Sequence, residues 1–172
     1  MKRFFLAATA LAFTAFAYAQ GGNNKPPQSP PASASETIAS GAVVTINYGQ
    51  PSVRGREIGK DVEPMDGKVW RAGANKATTF EVSKDVQVEG KALPAGKYSF
   101  FTLSNGDDWT LIFNKTWDQW GAYDYKDADD ALRVNVKGKA APSFSEKLTY
   151  TISPEGTVSI TWGSRQVTFT VK

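Results

Sequence analysis

Apolar and polar residues alternate along much of the chain from Ile38 to its end. In Leu132-Arg133-Val134-Asn135-Val136 every second side chain is apolar. Leu148, Tyr150 and Ile152 alternate with threonines, and Val158, Ile160 and Trp162 repeat the pattern before Val167, Phe169 and Val171. A period of two marks strands with one face buried and the other wet, as in antiparallel sheets. The same reading predicts strands at 43–48, 78–83, 97–104 and 108–114. Turn residues punctuate them. Asn105-Gly106 suits a tight hairpin that needs positive φ, and Leu93-Pro94-Ala95-Gly96 turns the chain into Lys97. Pro154-Glu155-Gly156 and Gly163-Ser164 are expected to close the last two hairpins. The one helical feature predicted after residue 38 is a single turn around 126–131. About eight short strands in one domain, 38–172, predict an all-β, antiparallel β-sandwich of jelly-roll type, ahead of a closed barrel.

The N-terminus reads differently. Lys2 and Arg3 precede an apolar run over 4–16 and then Ala17-Tyr18-Ala19, the layout of a secretory signal peptide cleaved after Ala19. The run is shorter than the ~20 apolar residues a membrane span needs, so a retained anchor helix is the lesser reading. The expected product is periplasmic or extracellular, with no membrane insertion after cleavage. Residues 20–37, QGGNNKPPQSPPASASET, contain no large apolar side chain. They read as a flexible tether, ahead of a Pro-rich recognition segment.

Composition then narrows the chemistry. The chain has 20 basic and 17 acidic residues, and loss of Lys2 and Arg3 with the leader leaves a net charge of +1. That balance gives no electrostatic case for nucleic acid. There is no cysteine and no histidine, which excludes disulfides, Ser-His-Asp triads, Cys-His nucleophiles and ordinary zinc sites. Acid–base chemistry would fall to carboxylates, Lys or Tyr. No cofactor is implied, and nothing in the sequence sets an oligomeric state. The 153 residues after the leader suffice for one domain with a substantial core.

Three stretches stand out. Arg54, Arg56 and Arg71 are placed to converge on an anion, with Asn75 supplying an amide and Gly73 permitting close backbone approach. The structural reading, in which Trp70 plugs the sandwich and Arg71 clamps a loop, stands ahead of the anion site. In the second stretch, Trp117, Trp120, Tyr123 and Tyr125 crowd one loop among Asp, Gln and Asn. Flat rings beside hydrogen-bonding groups suit a sugar, and equally a cap on the sandwich end. The third, residues 124–130, holds four aspartates. It lacks the spacing of a calcium loop and reads as a solvated helical turn with an Asp cap. Glu63, Asp66, Asp107 and Asp118 are the carboxylates available to a glycosidase-like pair.

Taken together, PSVRGREIG, KVWRAGANKATTFEVSKDVQVEGKALPAGKYSFFT and WTLIFNKTWDQWGAYDYKDADDALRV resemble a bacterial secreted family, domain of unknown function 2911, over about residues 36–172. The resemblance implies a signal peptide, an all-β domain and a Gram-negative envelope; it implies no activity and assigns no site residue. The favoured expectation is a non-catalytic domain that binds a small polar or saccharide-like ligand or an envelope component. The alternatives are a carboxylate-dependent hydrolase or lyase, and a structural partner with no small ligand.

Overall fold

The structure, a computed structural model, describes residues 28–172. The predicted leader and residues 20–27 of the predicted tether lie outside them. The strands are β1 (Pro31–Thr37), β2 (Val43–Gly49), β3 (Val69–Trp70), β4 (Ala74–Val82), β5 (Val86–Val88), β6 (Lys91–Leu93), β7 (Gly96–Asn105), β8 (Asp108–Asn114), β9 (Asp130–Ile152) and β10 (Thr157–Thr170). A 3₁₀ turn, Asp127–Asp129, precedes β9 and has no side-chain cap, contrary to the expected Asp cap.

The main sheet runs β1-β2-β4-β7-β8-β9-β10, with β3 on β7 and the β5-β6 hairpin apart, and all these pairings are antiparallel. It curls because β9 serves two partners, β8 along 130–137 and β10 along 138–152. The curl brings β9 back to the chain beyond β2. There Val53 N–H donates to the Glu146 carbonyl (2.8 Å) and Leu148 N–H to the Pro51 carbonyl (3.0 Å). The architecture is the antiparallel β-sandwich that the alternation predicts, one sheet bent through half a barrel.

Four phenylalanines hold the bend. Phe80, Phe100, Phe113 and Phe169, on β4, β7, β8 and β10, are each at most 1 % exposed. Every pair of their rings lies between 5.0 and 6.4 Å apart. Such contacts add to the large area each ring buries. A second, smaller cluster of Ala77, Phe101 and Ile112 lies apart from this core, with Ala122 and Tyr125 packed against it. Residues 98–102 of β7 are consequently all buried.

Two further expectations fail, each for a local reason. Residues 31–37 form the edge strand β1 in place of a tether, in register with β2 from Pro31↔Gly49 to Thr37↔Val43. Ala32 and Ala34 pack against the core, and Pro31 occupies the first strand position, where its missing N–H is tolerated. Main-chain pairing holds a strand whose side chains are too small to announce it. Gly163-Ser164 does not close a hairpin. β10 continues through it, with register shifts on both sides of the Gly163↔Ser145 pair and Gly163 at φ +59°. This glycine serves a bulge. The Asn105-Gly106 turn does link β7 to β8, with Asn105 opposite Asp108. Asp66 anchors it, accepting Gly106 N–H (3.1 Å) and the Ser104 hydroxyl (2.9 Å). Those two donors hold its carboxyl below the ordinary carboxylate range.

Candidate functional site

The entry to β4 is built from close backbone contacts. A Cβ on Gly49 would stand 2.2 Å from the Ala74 carbonyl oxygen, so only glycine lets β2 end there. Ala72 and Asn75 follow with φ of +51° and +66°, a conformation that costs a non-glycine residue roughly 1 kcal/mol or more. Arg71 steadies this stretch. Its Nη1 donates to the Asn75 carbonyl at 2.7 Å, and its guanidinium carbon lies 5.4 Å from the Tyr123 ring centre.

Asn75 is where the two motif stretches join. Its carbonyl also accepts Gly121 N–H at 3.2 Å. A Cβ on Gly121 would come within 2.9 Å of the Arg71 guanidinium carbon, so the glycine lets the aromatic loop lie directly on that cation. The same loop is stitched to β4 by Ala77 N–H to the Gln119 carbonyl (3.0 Å) and by Lys76 Nζ to Asp118 Oδ1 (2.8 Å). At its base, buried Asn114 donates to the Lys126 carbonyl and to Asp130 Oδ1, each at 2.9 Å. Loop and strand entry thus form one unit.

Two hollows open on this unit. A groove of about 700 Å³ is lined by Trp117, Asn47, Asn75, Thr79, Lys97 and Asp118 among others. Trp117 is 45 % exposed, and Lys97 Nζ sits 4.4 Å from its ring centre. The Thr79 hydroxyl oxygen is buried with no hydrogen-bond partner among the described residues. A cleft of about 270 Å³ is lined by Arg54, Arg56, Trp70, Arg71, Glu63 and Asn75 among others. Ser29, Ala74 and Asn75 line both, so the hollows share a wall.

Residues 29–171 match the model of a protein family described as a protein of unknown function, DUF2911. The chain belongs to the DUF2911 family. No curated protein and no solved structure matches it.

In this DUF2911 protein the expected residues fall into groups. Arg54, Arg56, Trp70, Arg71 and Asn75 meet in the cleft, and Trp117 joins Asn75 in the groove. Trp70 is also buried against the core. Trp120 and Tyr123, 57 % and 77 % exposed, line neither hollow. Tyr125 turns inward instead. Its ring centre lies 5.1 Å from that of Phe101, and its hydroxyl donates to Asp130 Oδ2 (2.7 Å) beside Arg133. Burial, reinforced by the Asp130 carboxylate, pushes its phenol up to about 12.

The carboxylates are dispersed. Asp118 is the one acid on the groove and Glu63 the one on the cleft, among the described residues. Asp118 is paired with Lys76, and Glu63 Oε2 accepts Met65 N–H at 2.6 Å. Asp130, in the acidic run, pairs with Arg133 at 2.7 Å. Among the described residues no helix is long and apolar enough to cross a membrane. Sequence reading missed Asn47, Thr79 and Lys97 as wall residues of the groove. Each sits on a strand's outward face, where a polar side chain carries no special signal.

Proposed function

We propose that this DUF2911 domain is a non-catalytic binding module of the bacterial envelope whose ligand is a saccharide. The observation that carries the reading is the groove. An accessible indole stands among two asparagines, two lysines, an aspartate and a buried, unpartnered threonine hydroxyl. A sugar ring presents an apolar face to an aromatic side chain while its hydroxyls take up donors and acceptors at the rim. The volume lies within the roughly 300–1,000 Å³ common for small-ligand sites. Envelope placement rests on the basic, apolar and small-x-small segments of residues 1–19.

Hydrolysis by a carboxylate pair would need two acids about 5–10 Å apart across the sugar. The groove offers Asp118, already held by Lys76, which favours binding over cleavage. Calorimetric titration of the purified protein against a panel of neutral and acidic cell-wall oligosaccharides tests the proposal. At least one class should bind with Kd below about 1 mM, equivalent to about −4 kcal/mol. No heat from any member of the panel would refute it.

A further inference from the structure

We infer that the ligand is an acidic saccharide, a uronate or a phosphate- or sulfate-substituted sugar, whose anionic group docks in the arginine cleft while its ring lies in the adjoining groove. The inference rests on the saccharide reading and extends it.

Arg54, Arg56 and Arg71 line one cleft of about 270 Å³. Among the described residues, no carboxylate oxygen lies within 4.0 Å of any of their guanidinium nitrogens. Glu63, the acid on the cleft wall, has Oε2 taken by a backbone N–H. The guanidinium hydrogen bonds go to main-chain carbonyls, while the Arg54 backbone N–H donates to Glu146 Oε1 (2.8 Å). Arg54 Nη2 donates to Gln28 (3.1 Å), Arg56 Nε to Val53 (3.0 Å) and Nη2 to Ser52 (2.7 Å), and Arg71 Nη1 to Asn75 (2.7 Å).

These bonds fix the side chains without neutralising them, and they leave most of each fork's five donors unspent. Cations gathered in a partly enclosed cleft repel one another, and an anion there relieves that repulsion through charge-assisted hydrogen bonds. A bidentate fork matches a carboxylate or phosphate in shape as well as charge. The backbone is also held in an unfavourable state around the cleft. Arg54 and Asn75 on its walls, and Ala72 between its wall residues Arg71 and Gly73, are three of the four non-glycine residues with positive φ among the described residues. Such strain persists where the surroundings over-determine a geometry, and it clusters at binding sites. Finally, Ser29, Ala74 and Asn75 border both hollows, so the groove and the cleft adjoin across a single wall, within the span of an oligosaccharide.

The test compares oligogalacturonate with its methyl ester, the same sugar with its charge removed, and adds inorganic phosphate and a sulfated oligosaccharide as separate titrants. The acid form should bind about tenfold or more tighter than the ester, and more weakly as salt rises. Arg54→Gln, whose side chain makes its one bond to Gln28, should erase that difference. Trp117→Ala should weaken acid and ester alike. Tighter binding of the sulfated sugar than of the uronate would assign the anion to an ester substituent and support the cleft's role. Equal affinity for acid and ester, with no preference for the sulfated sugar, would overturn this inference and leave the saccharide reading intact. Heat from phosphate alone, with no saccharide bound, would overturn both. The comparison in the unsubstituted protein decides even if Arg54→Gln fails to fold.

Discussion

Phe100→Ala is expected to lower the unfolding free energy by about 3–5 kcal/mol, the range for removing a buried aromatic ring. Phe100 is fully buried on β7 and its ring lies near those of Phe80, Phe113, Phe169 and Tyr150, at 6.0, 5.3, 6.0 and 6.4 Å. Those partners come from the middle of the sheet and from β9 and β10. The ring therefore fastens the middle of the sheet to its β9–β10 end, and the hole left by alanine is walled by rings that cannot all collapse into it. For a domain of this size the change corresponds to a fall in Tm of about 6–20 °C, read by calorimetry or by urea unfolding. A loss below about 1 kcal/mol would show that the quartet is not the centre of the core.

Trp117→Ala carries the second large effect, on binding and not on folding. The side chain is 45 % exposed and forms no part of either buried cluster, so its removal should leave Tm nearly unchanged. Loss of an aromatic platform in a binding site costs about 1–2 kcal/mol, which is a roughly five- to thirty-fold rise in Kd for the saccharide. The contact of Lys97 with the ring strengthens the expectation. With the indole gone, Lys97 keeps its ion pair with Glu81 (3.7 Å) but loses its contact with the ring. An unchanged Kd would remove Trp117 from the site.

The alternation of β2 and of parts of β9 and β10 was legible because one face of each meets a core of large side chains. β7 and β8, buried on both faces over 98–102 and 111–114, were legible as apolar runs between turn residues. The rest was hidden for physical reasons. β1, PASASET, holds no large apolar residue, so its pairing depends on main-chain hydrogen bonds that leave no hydrophobic trace. Residues 138–147 of β9 are mostly polar and accessible, so their pairing with β10 shows no alternation, and Gly163 looks like a turn when it is a bulge. Tyr125 resembled its exposed neighbours Trp117 and Tyr123 in sequence. Only the loop's path over Ala77, Phe101 and Ile112 sends it inward. The convergence of Arg54, Arg56 and Arg71 was readable as a combination of residue types. That Asn75 ties Arg71 to Gly121, joining the arginine cleft to the aromatic groove, needed coordinates.

The most direct test of a saccharide site at this end of the sandwich is a map of backbone amide chemical shifts in isotope-labelled protein titrated with oligogalacturonate. The largest changes should fall on Ser33, Asn47, Asn75, Lys76 and Asp118, with the Trp117 indole, and extend to Arg54 and Arg71. Changes confined to the β5-β6 hairpin or to the exposed span of β9, with these residues silent, would contradict the account.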